Sequence, residues 1–325
     1  MEEKGMSLSI LVISLGAAAF ASSLCAQPYP SKAITVIVPF AAGGPVDTDT
    51  RRYTARMSAL LGQPVVVDYR PGAGTSIGAQ HVARSTPDGY TLLSDSSAFS
   101  VFPAFYKDLK FDPVRDLEPI TMMHFIVSAL LVPTSSPLTS LSDYLAYSKA
   151  HPGKLNYGTS GVGDISHLSA IWMHAIAGTK VTFVPYKGNS PMLADLVGGR
   201  VDVGSSSLVN ALPQIRAGKL RALAVRGSRR ASPIPDVPTV SEHPGMQEFS
   251  SDNWLGFFAP AGTPGPVMEK LSSVLTAITA IPEIAAELES QASTPVGSTP
   301  VQFKAFVAKE IARWKKVVND AGIQR

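Results

Sequence analysis

The sequence predicts an α/β protein of two domains, each a mostly parallel sheet flanked by helices. Three observations carry that reading. Short β-branched runs alternate with helix-like segments along most of the chain. Three of those runs lead into a Gly-rich turn that opens a helix: "ITVIVPFAAGGPVD", "PVVVDYRPGAGTS" and "LNYGTSGVGDIS". At 325 residues the chain also exceeds what one core usually organises.

The elements follow in order. Ile34 to Phe40 and Val65 to Tyr69 are continuous β-branched runs, as strands covered on both faces require. Asp47 to Leu61 has helical character and closes at Gly62. "TSIGAQHVARS" is the next helix and "DGYTLLSD" the third strand, so βαβαβ occupies about 60 residues. A second series begins with a strand at Ser128 to Val132. It continues with a helix at Leu141 to Ala150, a strand at Leu155 to Gly158 and a helix at Ile165 to Ala177 closed by Gly178. Strands follow at Val181 to Val184, Val201 to Val203 and Leu220 to Val225, with a helix opened by Ser190-Pro191 and ended by Gly198. In the tail, "DNWLGFFAPAGTP" is a strand and a break. Two helices come next, the last started by the capping box Thr299-Pro300-Val301-Gln302 with Phe303, Phe306, Val307 and Trp314 on one stripe. These helices have no sheet of their own, so they are expected to pack back on the first domain. The chain then crosses between domains near Phe125 to Ser128 and near Phe249 to Trp254, and two crossings make a hinge. Trp254 lies by the second crossing, so its surroundings are expected to change on closure, whereas Trp172 reads as core.

The first 26 residues differ from the rest. Leu8 to Leu24 carries no charge, Lys4 stands before it, and small residues thicken toward Ala19-Phe20-Ala21 and Ala26. This reads as a secretory signal peptide cleaved near Ala26, which exports the mature chain. Cys25, the one cysteine, follows Leu24 instead of a small residue, which argues against a lipid anchor. Cleavage leaves no disulfide or thiolate metal site.

Composition excludes several classes. Charged residues are 16% of the chain, hydrophobic ones 45%, and the formal charge is +3. No basic stripe indicates nucleic acid, and "RGSRR" reads as a solvated loop. Gly72 to Gly78 lacks the G-x-G-x-x-G spacing of a dinucleotide site, and no acidic residue ends a suitable strand about 20 residues on. Gly158-Thr159-Ser160-Gly161 is not the hydrolase elbow. Ser160, Asp164 and His167 sit too close in sequence to serve as nucleophile, orienter and base. The six histidines form no metal pattern. We therefore expect no catalytic residue, no metal and no cofactor. What remains is the recurring strand–glycine–helix corner, which points N–H groups and a helix dipole at one spot and so holds an anion or another acceptor.

Five blocks carry a resemblance: "YPSKAITVIVPFAAGGPVDTDTRR", "YRPGAGTSIGAQHVARSTPDGYTLL", "HPGKLNYGTSGVGDISHL", "VPYKGNSPMLADLVGGRVD" and "GKLRALAV". In order and spacing they resemble the substrate-binding proteins of tripartite tricarboxylate transporters, the Bug family, from about Tyr29 to the C-terminus. The resemblance implies a two-lobe periplasmic binding protein of type II-like fold. Lobe 1 would be 27–126 with 253–325 and lobe 2 would be 127–252. The receptor would be monomeric and would deliver a small carboxylate or related polar metabolite, whether amino-acid-like, a dicarboxylate or an aromatic acid or amide, to membrane transporter subunits. Matched by motif, lobe 1 contributes Phe40, Ala41, Gly43, Gly44, Asp47, Gly74, Thr75, Ser96 and Ser97. Lobe 2 contributes Ser160, Gly161, Val162, Gly163 and Asp164, with Lys187 and Ser206 alongside. Asp164 departs from the Ser or Thr that the family often carries. It is either a helix cap or a cleft residue that disfavours a carboxylate beside it. Two further functions stay open: an exported α/β hydrolase, for which no activated nucleophile is visible, and a ligand receptor for a sensor kinase.

Overall fold

The computed structural model describes residues 29–320 apart from Lys107 and Gly163. The signal segment, Cys25 and the cleavage point near Ala26 lie outside the described residues.

Two sheets organise the chain. The first runs in the order β11 (Ser293–Pro295), β4 (Leu117–Ile126), β10 (Asn253–Pro260), β3 (Thr91–Ser96), β1 (Ile34–Val38) and β2 (Val65–Tyr69). The second runs β7 (Thr182–Pro185), β6 (Asn156–Thr159), β8 (Val203–Ser207), β5 (Ser128–Pro133) and β9 (Leu220–Val225). Val127 joins β4 to β5, and the chain returns from β9 to β10 through Arg226 to Asp252, so each lobe is an α/β layer structure and two segments connect them.

The expectation of mostly parallel sheets is corrected to mixed ones. β1 pairs in parallel with β2 and β3, and β6 with β7 and β8. β10 is antiparallel to β3 and β4, β11 to β4, and β5 to β8 and β9. Connectivity is the reason. β5 and β10 are the strands that follow the two crossings. Each starts at the junction between lobes and must run away from it, against neighbours whose C-terminal ends arrive there.

The continuous apolar runs are explained by two-sided burial. On β1, β3 and β10, Val36, Leu92 and Phe257 enter one core, while the next residues, Ile37, Leu93 and Phe258, enter the core on the opposite face. Leu130 and Leu131 divide the second sheet's cores in the same way. β2 departs from expectation. It is an edge strand with Val66 48% exposed, because no strand pairs beyond it and only one face meets a helix.

The helices are α1 (Pro45–Leu61), α2 (Ser76–Ala83), α3 (Ala98–Phe105), α4 (Leu141–Ala150), α5 (Ile165–Ala177), α6 (Asn189–Val197), α7 (Leu208–Arg216), α8 (Gly265–Thr279), α9 (Pro282–Ser290) and α10 (Pro300–Asp320). The tail holds three helices and the short β11 where two helices are predicted, because Pro282 stops one helix and restarts the next. The capping box of α10 forms as its residues require: Thr299 N–H donates to Gln302 Oε1 at 3.0 Å and Gln302 N–H to Thr299 Oγ1 at 3.3 Å. α10 then packs on α3 and β4 in the first lobe through Phe303, Val307 and Ile311.

The far end of α10 reaches across to the second lobe. Trp314 meets Trp172 of α5 edge-on at 6.0 Å, in a cluster with Val101, Phe105 and Leu168. Arg313 lies over the Trp172 ring at 5.4 Å and donates to the Ser250 carbonyl at 2.7 Å. Trp172 thus contacts the other lobe. Trp254, beside the second crossing, is fully buried inside the first lobe against Phe258 and Phe303.

Candidate functional site

The chain direction sets where the helices begin. β1, β3, β6 and β8 all deliver their C-terminal ends to the junction between lobes, so the helices that follow them start there. A cavity of about 910 Å³ opens at this junction. That is the size of a small-molecule site. Six helix N-caps border it: Gly44 of α1, Thr75 of α2 and Ser97 of α3 from one lobe, and Asp164 of α5, Gly188 of α6 and Ser207 of α7 from the other. Five of the six carry no side-chain cap bond, Asp164 being the exception. First-turn N–H groups have no partner within their own helix, and the dipoles add positive potential at the same place. The cavity is therefore a convergence of donors.

On the first lobe the turn after β1 is held by Asp47. Its Oδ2 accepts from Gly43 N–H at 2.8 Å, and its Oδ1 accepts from the Tyr69 hydroxyl and Arg51 Nε, each at 2.9 Å. Gly43 has φ +80°, a backbone that favours glycine. The second turn is strained: Thr75, β-branched and buried, sits at φ 82° with Oγ1 unpartnered. Such outliers gather at binding sites. At the end of β3, Ser97 Oγ donates to Asn253 Oδ1 at 2.5 Å, which ties the third turn to the returning crossover. Phe40, Val101, Phe102 and Phe105 supply an apolar wall.

On the second lobe the turn after β6 closes around Asp164. Its Oδ1 accepts from His167 N–H at 2.9 Å and from Ser166 Oγ at 2.7 Å, and its Oδ2 accepts from Ser160 Oγ. This is the geometry of an N-cap, and it occupies both carboxylate oxygens while leaving Asp164 on the cavity wall. Asn189 Nδ2 donates to Ser206 Oγ at 2.9 Å, joining the α6 and α7 corners.

Of the residues matched by motif, Phe40, Ala41, Gly43, Gly44, Gly74, Thr75, Ser96, Ser97, Ser160, Val162, Asp164 and Ser206 lie on this cavity. Asp47, Gly161 and Lys187 are not on its wall. Asp47 stands behind the turn it braces, Gly161 packs beside Asp164, and Lys187 is exposed outside. Gly163 lies outside the described residues. Sequence reasoning missed Asn189, Asn253 and Arg226. Arg226 belongs to the "RGSRR" cluster read as a solvated loop, yet it is 2% exposed, and Ser228, Arg229 and Arg230 face solvent. A signal was present: Arg226 directly follows a strand, as the turns at the other lining corners do. Burial draws its pKa down while Tyr157 and Asp164 draw it back up, and a guanidinium keeps its charge.

Two histidines serve the fold. His174 bridges Tyr144 Oη and Thr179 Oγ1 at 2.7 Å each, and His124 meets Tyr53 Oη at 3.1 Å. Among the described residues no group of three His, Cys, Asp or Glu is placed to hold a metal ion.

Two α/β lobes, two connecting segments and a cavity ringed by helix N-termini at the junction define a solute-binding protein of the periplasmic-binding-protein class. Residues 50–323 match the model of the tripartite tricarboxylate transporter family receptor, and the chain belongs to that family. It is similar to protein BugT of Bordetella pertussis, 34% identical over 317 residues, with 97% of each chain covered. Among solved structures it resembles one described as a periplasmic transporter at 40% identity and TM-score 0.79, covering 91% of this chain and 99% of that one. It also resembles R. palustris Rpa4515 with adipate, at 34% identity and TM-score 0.78, covering 90% and 98%. MatC (Rpa3494) from Rhodopseudomonas palustris with bound malate follows at 34% identity and TM-score 0.75, covering 89% and 100%. These relatives are solute receptors, and the chain is a receptor, not an enzyme.

Proposed function

We propose that the mature chain acts in the periplasm, captures a small carboxylate between its lobes and presents it to a tripartite tricarboxylate-type transporter. The lobes divide as 27–126 with 253–325 and 127–252, and the receptor works as a monomer. The observation that carries this reading is the set of six helix N-caps around one cavity. Oriented N–H groups in a site shielded from water bind a carboxylate more strongly than the same groups do in bulk solvent. The aromatic wall suits the carbon skeleton between polar ends. Adipate and malate in the related structures are acids of this kind. Closure about the two crossovers buries the solute and forms the surface a membrane partner reads.

The test is native mass spectrometry of the protein purified from the periplasm, followed by calorimetric titration of the stripped protein with malate, adipate and the released compound. One small acid per chain, recovered unchanged and rebinding at the same stoichiometry, is the expected result. A stripped protein that binds none of them, or a compound recovered altered, would overturn the reading.

A further inference from the structure

The end of the C-terminal helix joins the two lobes apart from the connecting segments. α10 buries one stripe along its 21 residues, with Phe303, Val307, Glu310, Trp314 and Val317 at spacings of three and four. Phe303 and Val307 pack inside the first lobe, whereas Trp314 and Val317 pack with Leu168 of α5 in the second. Glu310 holds the position between these two contacts, where the stripe calls for an apolar residue, and its side chain is 3% exposed. Arg313, one turn on, is shared. Its Nη1 lies 2.7 Å from Glu310 Oε1 on the same helix and donates to the Ser250 carbonyl at 2.7 Å, while its guanidinium lies over the Trp172 ring at 5.4 Å. Ser250 follows Phe249, which meets Trp172 at 5.0 Å and belongs to the second lobe's core.

Other charges near Glu310 are Lys309 on its own helix and Asp252 on the returning crossover. Asp252 accepts from Ser228 N–H at 3.0 Å and from Ser250 Oγ at 2.9 Å. Of the elements packed on α10, α3 carries no ionisable side chain. On β4, Glu118 pairs with Lys304 and His124 with Tyr53 and Asp49, and on α5 His167 and His174 face Phe183. We propose that the end of α10 is a proton-sensitive latch, in which Arg313 clasps the second lobe while Glu310 is neutral and lets it go when Glu310 ionises. Ionised, Glu310 answers Arg313 within α10, a pairing that survives separation of the lobes. Neutral, it leaves Arg313 to Ser250 and Trp172, both across the junction. Burial pushes the Glu310 carboxyl up from 4.5 to about 7, with Arg313 drawing it down and Asp252 up, and opening hydrates it and returns it toward 4.5. The closed form therefore holds a proton in that window that the open form has released, so closure is favoured in acid and weakens as pH rises through about 7. The latch rests on the lobes opening and closing about the crossovers, and not on which solute they hold.

The experiment is single-molecule energy transfer between dyes on Leu60→Cys of α1 and Tyr147→Cys of α4, exposed positions on the two lobes. The mature chain, without Cys25, has no other thiol. From pH 6 to 8 the closed-to-open ratio of the ligand-free receptor should fall about 10-fold, as carboxyl values of about 7 closed and 4.5 open require. Adding Glu310→Gln, neutral at every pH, should hold the ratio constant. Adding Arg313→Met should make the receptor at least as open at pH 6 as the unsubstituted latch is at pH 8. Melting curves at both pH values separate lobe opening from unfolding. A ratio independent of pH, an equal pH response with Glu310→Gln, or an Arg313→Met variant as closed as the intact latch would each overturn the proposal. Calorimetric titration of the same samples with malate keeps the two readings apart. Malate binding to lobes that never respond to pH overturns the latch and leaves the cleft as the solute site, whereas lobes that respond to pH without binding malate support the latch alone.

Discussion

Replacing Asp95 by Asn should leave the protein's melting point nearly unchanged near pH 4 and raise it above pH 8. Asp95 is fully enclosed at the cleft end of β3, one residue before the serines that line the cavity. Burial lifts its pKa from 3.8 to about 8. The Ser96 N–H, at 2.7 Å from Oδ1, and the Thr75 hydroxyl pull it back only in part. Oδ2 and Thr75 Oγ1 both lack a full hydrogen-bond partner, and a protonated Oδ2 donating to Thr75 would satisfy both. The folded pKa lies above the unfolded one, so between about pH 4 and 8 the folded chain holds a proton the unfolded chain has released. Stability therefore falls as pH rises through that window. Four pKa units correspond to roughly 5 kcal/mol at the alkaline end, an upper figure that relaxation around the charge reduces. Asparagine reproduces the neutral acid at every pH and keeps an oxygen for Ser96. Calorimetric melting of both proteins from pH 4 to 9 is the assay. For a chain of this size each kcal/mol moves Tm by about 2–4 °C, so the curves should coincide at the acid end and separate by several degrees at the alkaline end. Equal melting differences at both ends would refute the protonated state and leave Asp95 a plain polar contact.

Two further outcomes follow from the same geometry. Gly78 packs α2 against the first turn so closely that an added Cβ would lie 2.7 Å from Pro39 Cβ and 3.1 Å from the Arg70 carbonyl. Gly78→Ala should therefore cost about 1–3 kcal/mol and weaken solute binding by displacing the Thr75 corner, and an unchanged melting point and affinity would contradict this. Asp164→Ser keeps an N-cap oxygen, so stability should fall by less than about 1 kcal/mol. Because both Asp164 oxygens are already bonded, the preference for malate over its monoamide should stay as it is. A shift toward malate in that titration would instead place the carboxylate against the ligand.

Legibility in the sequence followed periodicity and punctuation. α4 and α5 match their predicted spans because Ser140 and Asp164 cap their starts and the chain breaks after them at "HPG" and Gly178. The Gly-rich corners lie on the cavity for the reason the sequence suggests, since a glycine turn after a strand is a local feature. β4, α3 and α7 were not anticipated. "LEPITMMHFI" carries a proline and no alternation, and its strand exists through pairing with β10, a segment far away in sequence. "AFSVFPAF" and "LVNALPQIR" each hold an internal proline that reads as a breaker, yet both helices are short and held by packing. Strand direction was illegible for a related reason: it depends on where the crossovers enter each sheet. Arg226 escaped because a charged five-residue cluster in a loop-like context resembles solvated surface, and only the tertiary fold reveals that one of its arginines turns inward.

The distribution of acids around the cleft explains how a cavity for anions tolerates carboxylates beside it. Three aspartates stand at or behind its corners, and each has been silenced in its own way. Asp47 is spent on Gly43, Tyr69 and Arg51, so its charge shapes the turn it might otherwise spoil. Asp164 is consumed by the N–H of His167 and two serine hydroxyls, with the α5 dipole behind it. Asp95, buried without a cation among the described residues, is held neutral by the cost of ionising it. With those three accounted for, the donors at the cavity are the uncapped first turns of five helices. A solute that enters as an anion meets hydrogen-bond donors already oriented by backbone, which costs little reorganisation on binding. Neutral or cationic solutes would leave that converging positive potential unanswered. Selectivity for acids then comes from helix ends that the fold must place at the strand C-termini, and discrimination among acids falls to the few side chains reaching past them.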